Sequence, residues 1–463
     1  MISMNKQKSS RMQIKGAKEL LRLGHKVLAY RNDLLRDKEK EILEDGINGL
    51  KSVMKSRPVY AEELEESARV MNDALQKFGG VYYHKKSWVE NVEMLLVAAI
   101  VVIGIRSFFV QPFIIPTNSM FPSFYGMQPK VYDSTDTPNL FERSLDKVLL
   151  GASHYKLEAQ SSGNIYLKIQ NGQSFRFAKA SFPNGKFFVF PTTVREYIFE
   201  IGGKDHVLQV PAEFDLDELL AMKFAGIENL RDLPLIVSQD HGFSGKRLKL
   251  SDTQIRENTV ALAFDILLGD ALFVDRMSYN FISPRTGDPA VFRTGSIDDF
   301  NRQLRVPIKS LIGEDKYYIK RLVGEPGDSL EIRVPENIFT NGTDVRKGVP
   351  GILHRNGKEL DNRKAFQGNL KRTKQYAINP DLKNPSKFPG YRAEGLLTNR
   401  QILVVPDKNS SNNKTGKNAY FAMGDNSTDS LDGRMWGFVP ENEIIGRALL
   451  VYYPFTSRWG LSD

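Results

Sequence analysis

The sequence predicts a mainly β domain carried behind one apolar helix and an N-terminal helical segment. Apolar residues recur at helical spacing up to about residue 80, an apolar run follows, and beyond residue 111 they alternate between turn dipeptides. Period 3.6 is the signature of a helix with one buried face, and period 2 that of a half-buried strand.

With 463 residues, 41% of them apolar, the chain has length for about three domains and material for a real core. Its formal charge is +9, but no Lys/Arg stripe interleaved with aromatics stands out, so the excess reads as a solvated basic surface and no nucleic acid is expected. The absence of cysteine excludes disulfides, thiolate nucleophiles and Cys-based zinc sites. The six histidines are scattered without an HExxH pattern or a close pair, so neither a metal nor any other cofactor is expected.

The first 30 residues are basic and lack an uninterrupted apolar run, so they do not read as a cleavable targeting sequence. Leu20, Leu21, Leu23, Val27 and Leu28 keep helical spacing, which Leu34, Leu35, Ile42 and Leu43 continue. A second stretch, Tyr60 to Phe78, follows Pro58 and stops at Gly79-Gly80, giving the expectation of a small helical hairpin, a spacer or a self-association module. Oligomeric state is left open.

In the run from Trp88 to Val110 the uncharged core, Met94 to Ile105, is short enough for a buried helix of a soluble domain. The flanks favour a membrane: Trp88 stands at one end, Phe108 and Phe109 at the other, and Arg106 can snorkel. Arg69, Lys77, Lys85 and Lys86 precede the run, whereas the next basic residue after Arg106 is Lys130. The expected organisation is a cytoplasmic helical segment at 1–86, a single transmembrane anchor at 87–111 in the cell membrane's lipid bilayer, and an exported domain at 112–463.

In the exported part, 165–177 reads as two alternating runs around Asn171-Gly172, a hairpin signal, and Asn184-Gly185 precedes another run at 187–190. A helix is expected over Leu216 to Ala225 with Gly226 as its stop. Residues 361–418, rich in Asn, Lys, Pro and Gly, read as loop.

Three segments carry candidate chemistry: 111–122 (QPFIIPTNSMFP), 316–328 (KYYIKRLVGEPGD) and 423–440 (MGDNSTDSLDGRMWGFVP). Singly, each has an ordinary explanation: turn chemistry around Ser119, a solvent-facing strand lysine at 320, an Asx turn at Gly-Asp-Asn. Ser119 nonetheless sits in a polar patch between apolar residues just past the anchor, where its hydroxyl could meet a chain leaving the bilayer. Serine needs a base to become a nucleophile, and none of the three segments contains histidine. Lys320 can serve if neutral; Tyr318, Lys320 and Leu322 share one strand face, and an apolar face disfavours the ammonium form. Glu325-Pro-Gly-Asp328 should then end the strand in a type II turn.

Together these segments resemble the boxes of the type I signal peptidase (leader peptidase) family: an apolar anchor, a Pro-Ser-x-Ser-Met-x-Pro nucleophile box, a Lys-Arg-apolar-x-Gly-x-Pro-Gly-Asp base box, then Gly-Asp-Asn, Ser-x-Asp-x-Arg and Trp-Gly. A fourth box, 283–292 (SPRTGDPAVF), resembles the family's Gly-Asp strand. The resemblance implies a signal-peptidase-like β catalytic domain that cleaves signal peptides from exported preproteins after small residues of the Ala-x-Ala type. It makes Ser119 the nucleophile, Lys320 the base, and the Ser119 N–H with the Thr117 hydroxyl the oxyanion hole. Ser430 would orient the lysine; Asp425 with Arg321 and Asp432 with Arg434 would be supporting pairs; Ile115, Met120, Tyr318 and Ile319 would line the substrate pockets.

Several positions depart from the family pattern. Thr117 stands for Ser, Asn118 for a frequent Gly, Ser123 for Thr and Gly433 for Ser, none of which removes a proposed catalytic atom. The interval from Ser119 to Lys320 is far longer than in compact members, so about 125–260 reads as a large β-rich insertion. A rival set, Ser153-x-x-Lys156, Ser410-Ser-Asn412 and Lys414-Thr-Gly416, spells penicillin-binding-protein elements, but its last two lie one residue apart in one polar loop. Self-cleaving SOS repressors share the Ser-Lys chemistry, but they should be soluble with a DNA-binding domain, which the anchor argues against. A non-enzymatic membrane-tethered β domain that binds exported chains or envelope components remains the alternative.

Overall fold

A computed structural model describes residues 7–83, 87–133, 137–180, 191–227, 229–238, 245–336, 349–378 and 390–462. The chain divides into two compact units, Met1–Gly104 and Ile105–Asp463.

The first unit opens with the helices Arg11–Arg31, Asp37–Lys55 and Ala61–Phe78, where the periodicity suggested a hairpin of two. The extra break lies at 32–36, where Glu39 caps the Arg36 N–H at 2.9 Å, Leu34 turns outward and Leu35 packs inward. Val27, Leu43, Ile47, Leu50, Leu64, Met71 and Leu75 fill the interior. Gly24 is required by close approach: a Cβ there would lie 2.2 Å from the Met71 methyl.

The expected apolar helix spans Ser87–Phe108, and its stretch Asn91–Phe108, with mean hydropathy 1.9 and none of it buried, is long and apolar enough to cross a membrane. It stops short of the expected 111, because Val110–Ile114 is already a strand and Gln111 pairs with Val274.

The second unit is built on an eight-stranded antiparallel sheet in the order Val110–Ile114, Ala271–Asp275, Ile444–Tyr453, Pro289–Arg293, Tyr317–Gly324, Ala419–Met423 and Val439–Pro440, with Gly460–Leu461 added beside Ile444–Tyr453. Strands distant in sequence are thus neighbours, and the nucleophile, Gly-Asp and base boxes reach one sheet. The type II turn forms as its residues predict: Gly327 takes φ +87° and the Asp328 N–H donates to the Glu325 carbonyl at 3.0 Å. On this sheet's flank lies a smaller one made of Ser329–Arg333, Val349–Arg355, Lys358–Glu359, Tyr391–Ala393 and Leu403–Val404. The expected loop 361–418 is corrected at its start: Lys364–Ile378 is a helix, anchored by Phe366 in the core that Leu330, Ile332 and Leu353 form.

The chain from about 125 onward makes a lobe of its own. Gln128–Tyr132, Val260–Leu267 and Ser153–Glu158 form a three-stranded sheet, and six further strands between 165 and 249 form a second, over one core that includes Leu167, Tyr197, Phe199, Leu220 and Phe264. The lobe therefore extends past the expected 260, because strand 260–267 pairs on both sides within it. The turn at Asn171-Gly172 forms with positive φ at both residues, but the flanking strands part after the Gln170–Gln173 bridge and each pairs with Thr192–Ile201. The helix expected at 216–225 is present, its second half as a π turn ending at Gly226. Leu140–Leu150 is an additional helix, started by a reciprocal Asn139–Glu142 cap. The run at 187–190 lies outside the described residues.

Candidate active site

Sheet pairing brings together residues that the sequence holds 201 positions apart. Ser119 lies in a single helical turn, Asn118–Met120, and Lys320 in the strand Tyr317–Gly324. The Lys320 Nζ and Ser119 Oγ are 2.5 Å apart and both residues are buried. Burial pushes the lysine down from 10.5 to about 8; Arg434 reinforces the shift, while Asp432, Asp429 and Asp425 oppose it. A neutral amine is therefore accessible near physiological pH, lying 5.8 Å from the Tyr318 ring centre.

The turn bearing Ser119 is tied down from two sides. The Asn426 N–H donates to the Ser119 carbonyl at 3.0 Å, and its side-chain amide donates to the Asn118 carbonyl at 3.1 Å. Asn118 Oδ1 in turn accepts the Gly126 N–H at 3.0 Å. Gly424 must lack a side chain, since a Cβ would come within 2.4 Å of the Ser119 carbonyl oxygen and 2.2 Å of Ser430 Oγ.

Both expected supporting pairs form in the interior. Arg321 grips Asp425 through Nε at 2.8 Å and Nη2 at 2.7 Å, and donates to the Gly287 carbonyl at 2.7 Å. Ser123, which sequence reasoning treated only as a substitution, completes this network: it donates to Asp425 at 2.6 Å and accepts from Arg321 at 3.1 Å. Arg434 bonds Asp432 through Nε and Nη2, each at 2.8 Å, and reaches Ser427 and Glu394. Burial alone would raise Asp432, but Arg434 and the Gly424 N–H hold it below the usual carboxylate range.

Other expected residues are arranged differently. Ser430 Oγ is buried and has no hydrogen-bond partner among the described residues; it touches the backbone side of Gly424 and makes no bond to Lys320. Ile115 and Met120 are buried in a cluster with Phe124, Leu272, Ala448 and Val451, behind the loop that carries Ser119. Tyr318 and Ile319 are half-buried, against Phe292 and against the Ile115–Met120 cluster respectively. Thr117 is exposed, and with Pro116 and Asn118 forms one wall of a cavity of about 1210 Å³. The lobe contributes Met127, Phe214, Asp215, Glu218 and Met222 to the same lining, and Asp429 joins it. The rival motif does not assemble as a dyad: Lys156 pairs with Glu158, and Ser153 accepts from Lys147. No group of three or more His, Asp or Glu able to hold a metal occurs among the described residues.

A family model described as signal peptidase, peptidase S26, matches residues 259–453, which include Lys320, Asp425 and Arg434 but not Ser119. Among curated proteins, "Probable signal peptidase I-1" of Synechocystis is 29% identical over 192 residues, 42% of this chain and 66% of that protein. "Signal peptidase I" of Aquifex aeolicus is 25% identical over 196 residues, 41% of this chain and 70% of that one. "Signal peptidase I S" of Bacillus subtilis is 30% identical over 152 residues, 33% of this chain and 60% of that one. The chain thus spans about two thirds of the length of the curated relatives it matches.

Proposed function

We infer from the chain's membership of the type I signal peptidase family, and from the buried Ser119–Lys320 contact, that it is a membrane-anchored serine endopeptidase removing signal peptides from exported preproteins. The observation that carries this reading is the 2.5 Å approach of a hydroxyl to an amine whose pKa is lowered to about 8. At pH 7 about one such lysine in ten is neutral, enough for a base that is regenerated each cycle.

Neutral Lys320 takes the Ser119 proton as Oγ attacks the scissile carbonyl carbon. The carbonyl π electrons move to oxygen, where the Ser119 N–H and the Thr117 hydroxyl stabilise the charge. The lysine ammonium gives its proton to the departing amine of the mature chain, leaving the signal peptide esterified to Ser119. Lys320, neutral again, deprotonates a water that attacks the ester carbonyl carbon; as the acyl C–Oγ bond breaks, the ammonium returns that proton to Ser119 Oγ, the signal peptide leaves as its carboxylic acid, and the neutral amine and the hydroxyl are restored. Asp425–Arg321 and Asp432–Arg434 hold the framework and take no proton.

Cleavage after small residues of the Ala-x-Ala type is the finer part of this reading. It rests on the family resemblance, and on Tyr318 and Ile319 as the partly exposed apolar residues beside the dyad. The anchor helix is assigned a single pass, N-terminus inside, from its flanking charges. The lobe is assigned to substrate engagement, because it shares the lining of the cavity with Thr117.

The test is cleavage of a preprotein bearing a signal peptide by the detergent-solubilised full chain, compared with Ser119→Ala. Release of the mature protein by wild type alone is expected. Equal cleavage by Ser119→Ala, or none by folded wild type over a panel of preproteins, would leave the non-enzymatic tether as the better reading.

A further inference from the structure

Asp270 is outside the dyad and its supporting pairs, yet it bonds both ends of the loop that carries Ser119. Its carbonyl accepts the Ile115 N–H at 2.9 Å where the loop begins. Where the loop ends, its own N–H donates to the Tyr125 carbonyl at 2.8 Å and its carboxylate accepts the Tyr125 N–H at 2.8 Å. Gly269, next to it, lies so close to the Ile115 carbonyl oxygen that a Cβ would be 1.8 Å away. The fit therefore tolerates little sliding of the loop.

The Asp270 side chain is 0% exposed, and a buried carboxylate needs a cation or several donors. Arg458, from the C-terminal tail, supplies both: Nη2 donates at 2.9 Å and Nε at 3.1 Å, while the guanidinium lies 3.8 Å from the centre of the Tyr125 ring. One arginine thus neutralises the carboxylate and covers the residue that the carboxylate holds.

We propose that Asp270, held by Arg458, is a positioning pair for the nucleophile, fixing the Ile115–Tyr125 loop so that Ser119 Oγ stays within reach of Lys320. The inference rests on the Ser119–Lys320 reading. Neither residue touches the reacting atoms, so loosening the pair should lower the frequency of productive geometry and leave the base and the cleft intact. Turnover should fall while KM and the pH dependence stay put, whereas general destabilisation would loosen the main sheet as well.

The experiment combines hydrogen exchange by mass spectrometry with steady-state kinetics on a signal-peptide substrate, using the full detergent-solubilised chain. Arg458→Ala is expected to exchange faster across 115–126 with unchanged protection in 317–324 and 444–453. Its kcat should fall on the order of tenfold to a hundredfold with KM little changed. Arg458→Lys, which keeps the charge and loses the planar stack, should recover most of the loss. If Arg458→Ala does not fold, Asp270→Asn decides in the same way, since it keeps the acceptor for Tyr125 and removes the charge that Arg458 grips. Folded variants with wild-type exchange in 115–126 and wild-type kcat would overturn the proposal. A wild-type chain without peptidase activity would instead count against the enzymatic reading, and the exchange measurement would still decide whether this pair holds the loop.

Discussion

Asn426 holds the nucleophile turn with both its backbone and its side chain: its N–H reaches the Ser119 carbonyl and its side-chain amide reaches the Asn118 carbonyl. The Gly-Asp-Asn segment is thereby bonded to the turn bearing Ser119, while its Asp425 grips the arginine next to Lys320. Asn426→Ala removes one of the two bonds. At about 0.5–1.5 kcal/mol for a hydrogen bond, kcat should fall by roughly twofold to tenfold with little change in melting temperature. Single-turnover cleavage measures it, and an unchanged rate would mean the turn is held without this contact.

Lys320→Arg keeps a positive charge but cannot present a neutral base at accessible pH. Activity should drop on the order of 10²-fold to 10⁴-fold. The wild-type rate should climb with pH through about 8 as the amine loses its proton. Ser430→Ala should cost far less, because Ser430 Oγ makes no hydrogen bond to Lys320. One pH-rate series on the three proteins tests all of this; near wild-type turnover by Lys320→Arg would end the Ser-Lys assignment.

The lowered pKa also has a stability signature. Lys320 releases its proton at about 8 when folded and at 10.5 when unfolded, so between these values the unfolded chain binds more protons and stability rises with pH. Below pH 8 the full penalty applies, at most about 3 to 4 kcal/mol at about 1.4 kcal/mol per unit. Lys320→Met should therefore be more stable than wild type at pH 7, and the gap should narrow from pH 8 to 10.5. Denaturant titrations of both proteins at several pH values provide the comparison; a constant gap would contradict a buried, titrating amine.

The lobe's contribution should appear in binding. Asp215 and Glu218 line the same cavity as Thr117, and Glu218 is pushed up by burial and by Asp429 and Asp215 nearby. Reversing both charges with lysine should shift KM for preproteins severalfold and leave kcat on a minimal peptide within about twofold. A loss of turnover on that peptide matching Ser119→Ala would mean the lobe supplies catalytic groups.

Topology is accessible to limited proteolysis. A protease added outside spheroplasts should cut near Asn412, in the exposed turn-rich stretch of 408–418, and spare the first 80 residues. Protection of that loop with cleavage of the N-terminal helices would reverse the orientation.

The contacts of Ser119 with Lys320, Arg321 with Asp425 and Arg434 with Asp432 were expected because these residues stand in short runs that resemble family boxes, and the resemblance, not the spacing, paired them. What could not be read depends on partners distant in the chain. Ser123 is an ordinary loop serine until Asp425 and Arg321 converge on it, and Asp270 and Arg458 have no local pattern that links them. Met120, which the resemblance placed in a pocket, is packed in a buried cluster with Ile115, Phe124 and Leu272, a packing that no local pattern announces. Local signals also fixed turns better than pairings. Asn171-Gly172 bends as its residues require, but which strands lie side by side was decided by the ten-residue strand Thr192–Ile201 between them. The helix at 140–150 was in fact legible, since Asn139 and Glu142 stand at capping-box spacing.

The lobe departs after Tyr125 and returns at Asp270, two residues that hydrogen-bond each other, and the strands just inside that junction pair as Gln128 with Leu267. Seen from the main sheet, the intervening chain is a single closed excursion whose mouth is no wider than a hairpin's. Closing such a loop costs an entropy that grows only with the logarithm of its length, about 0.6 kcal/mol for each doubling. Lengthening a tight turn at that mouth to the size of this lobe is about five doublings, an entropy of about 3 kcal/mol that the lobe's own folded core can offset. The chain enters and leaves the lobe through this narrow junction, so a change in the lobe's length adds to the closure entropy and leaves the strand pairings on the sheet side as they are.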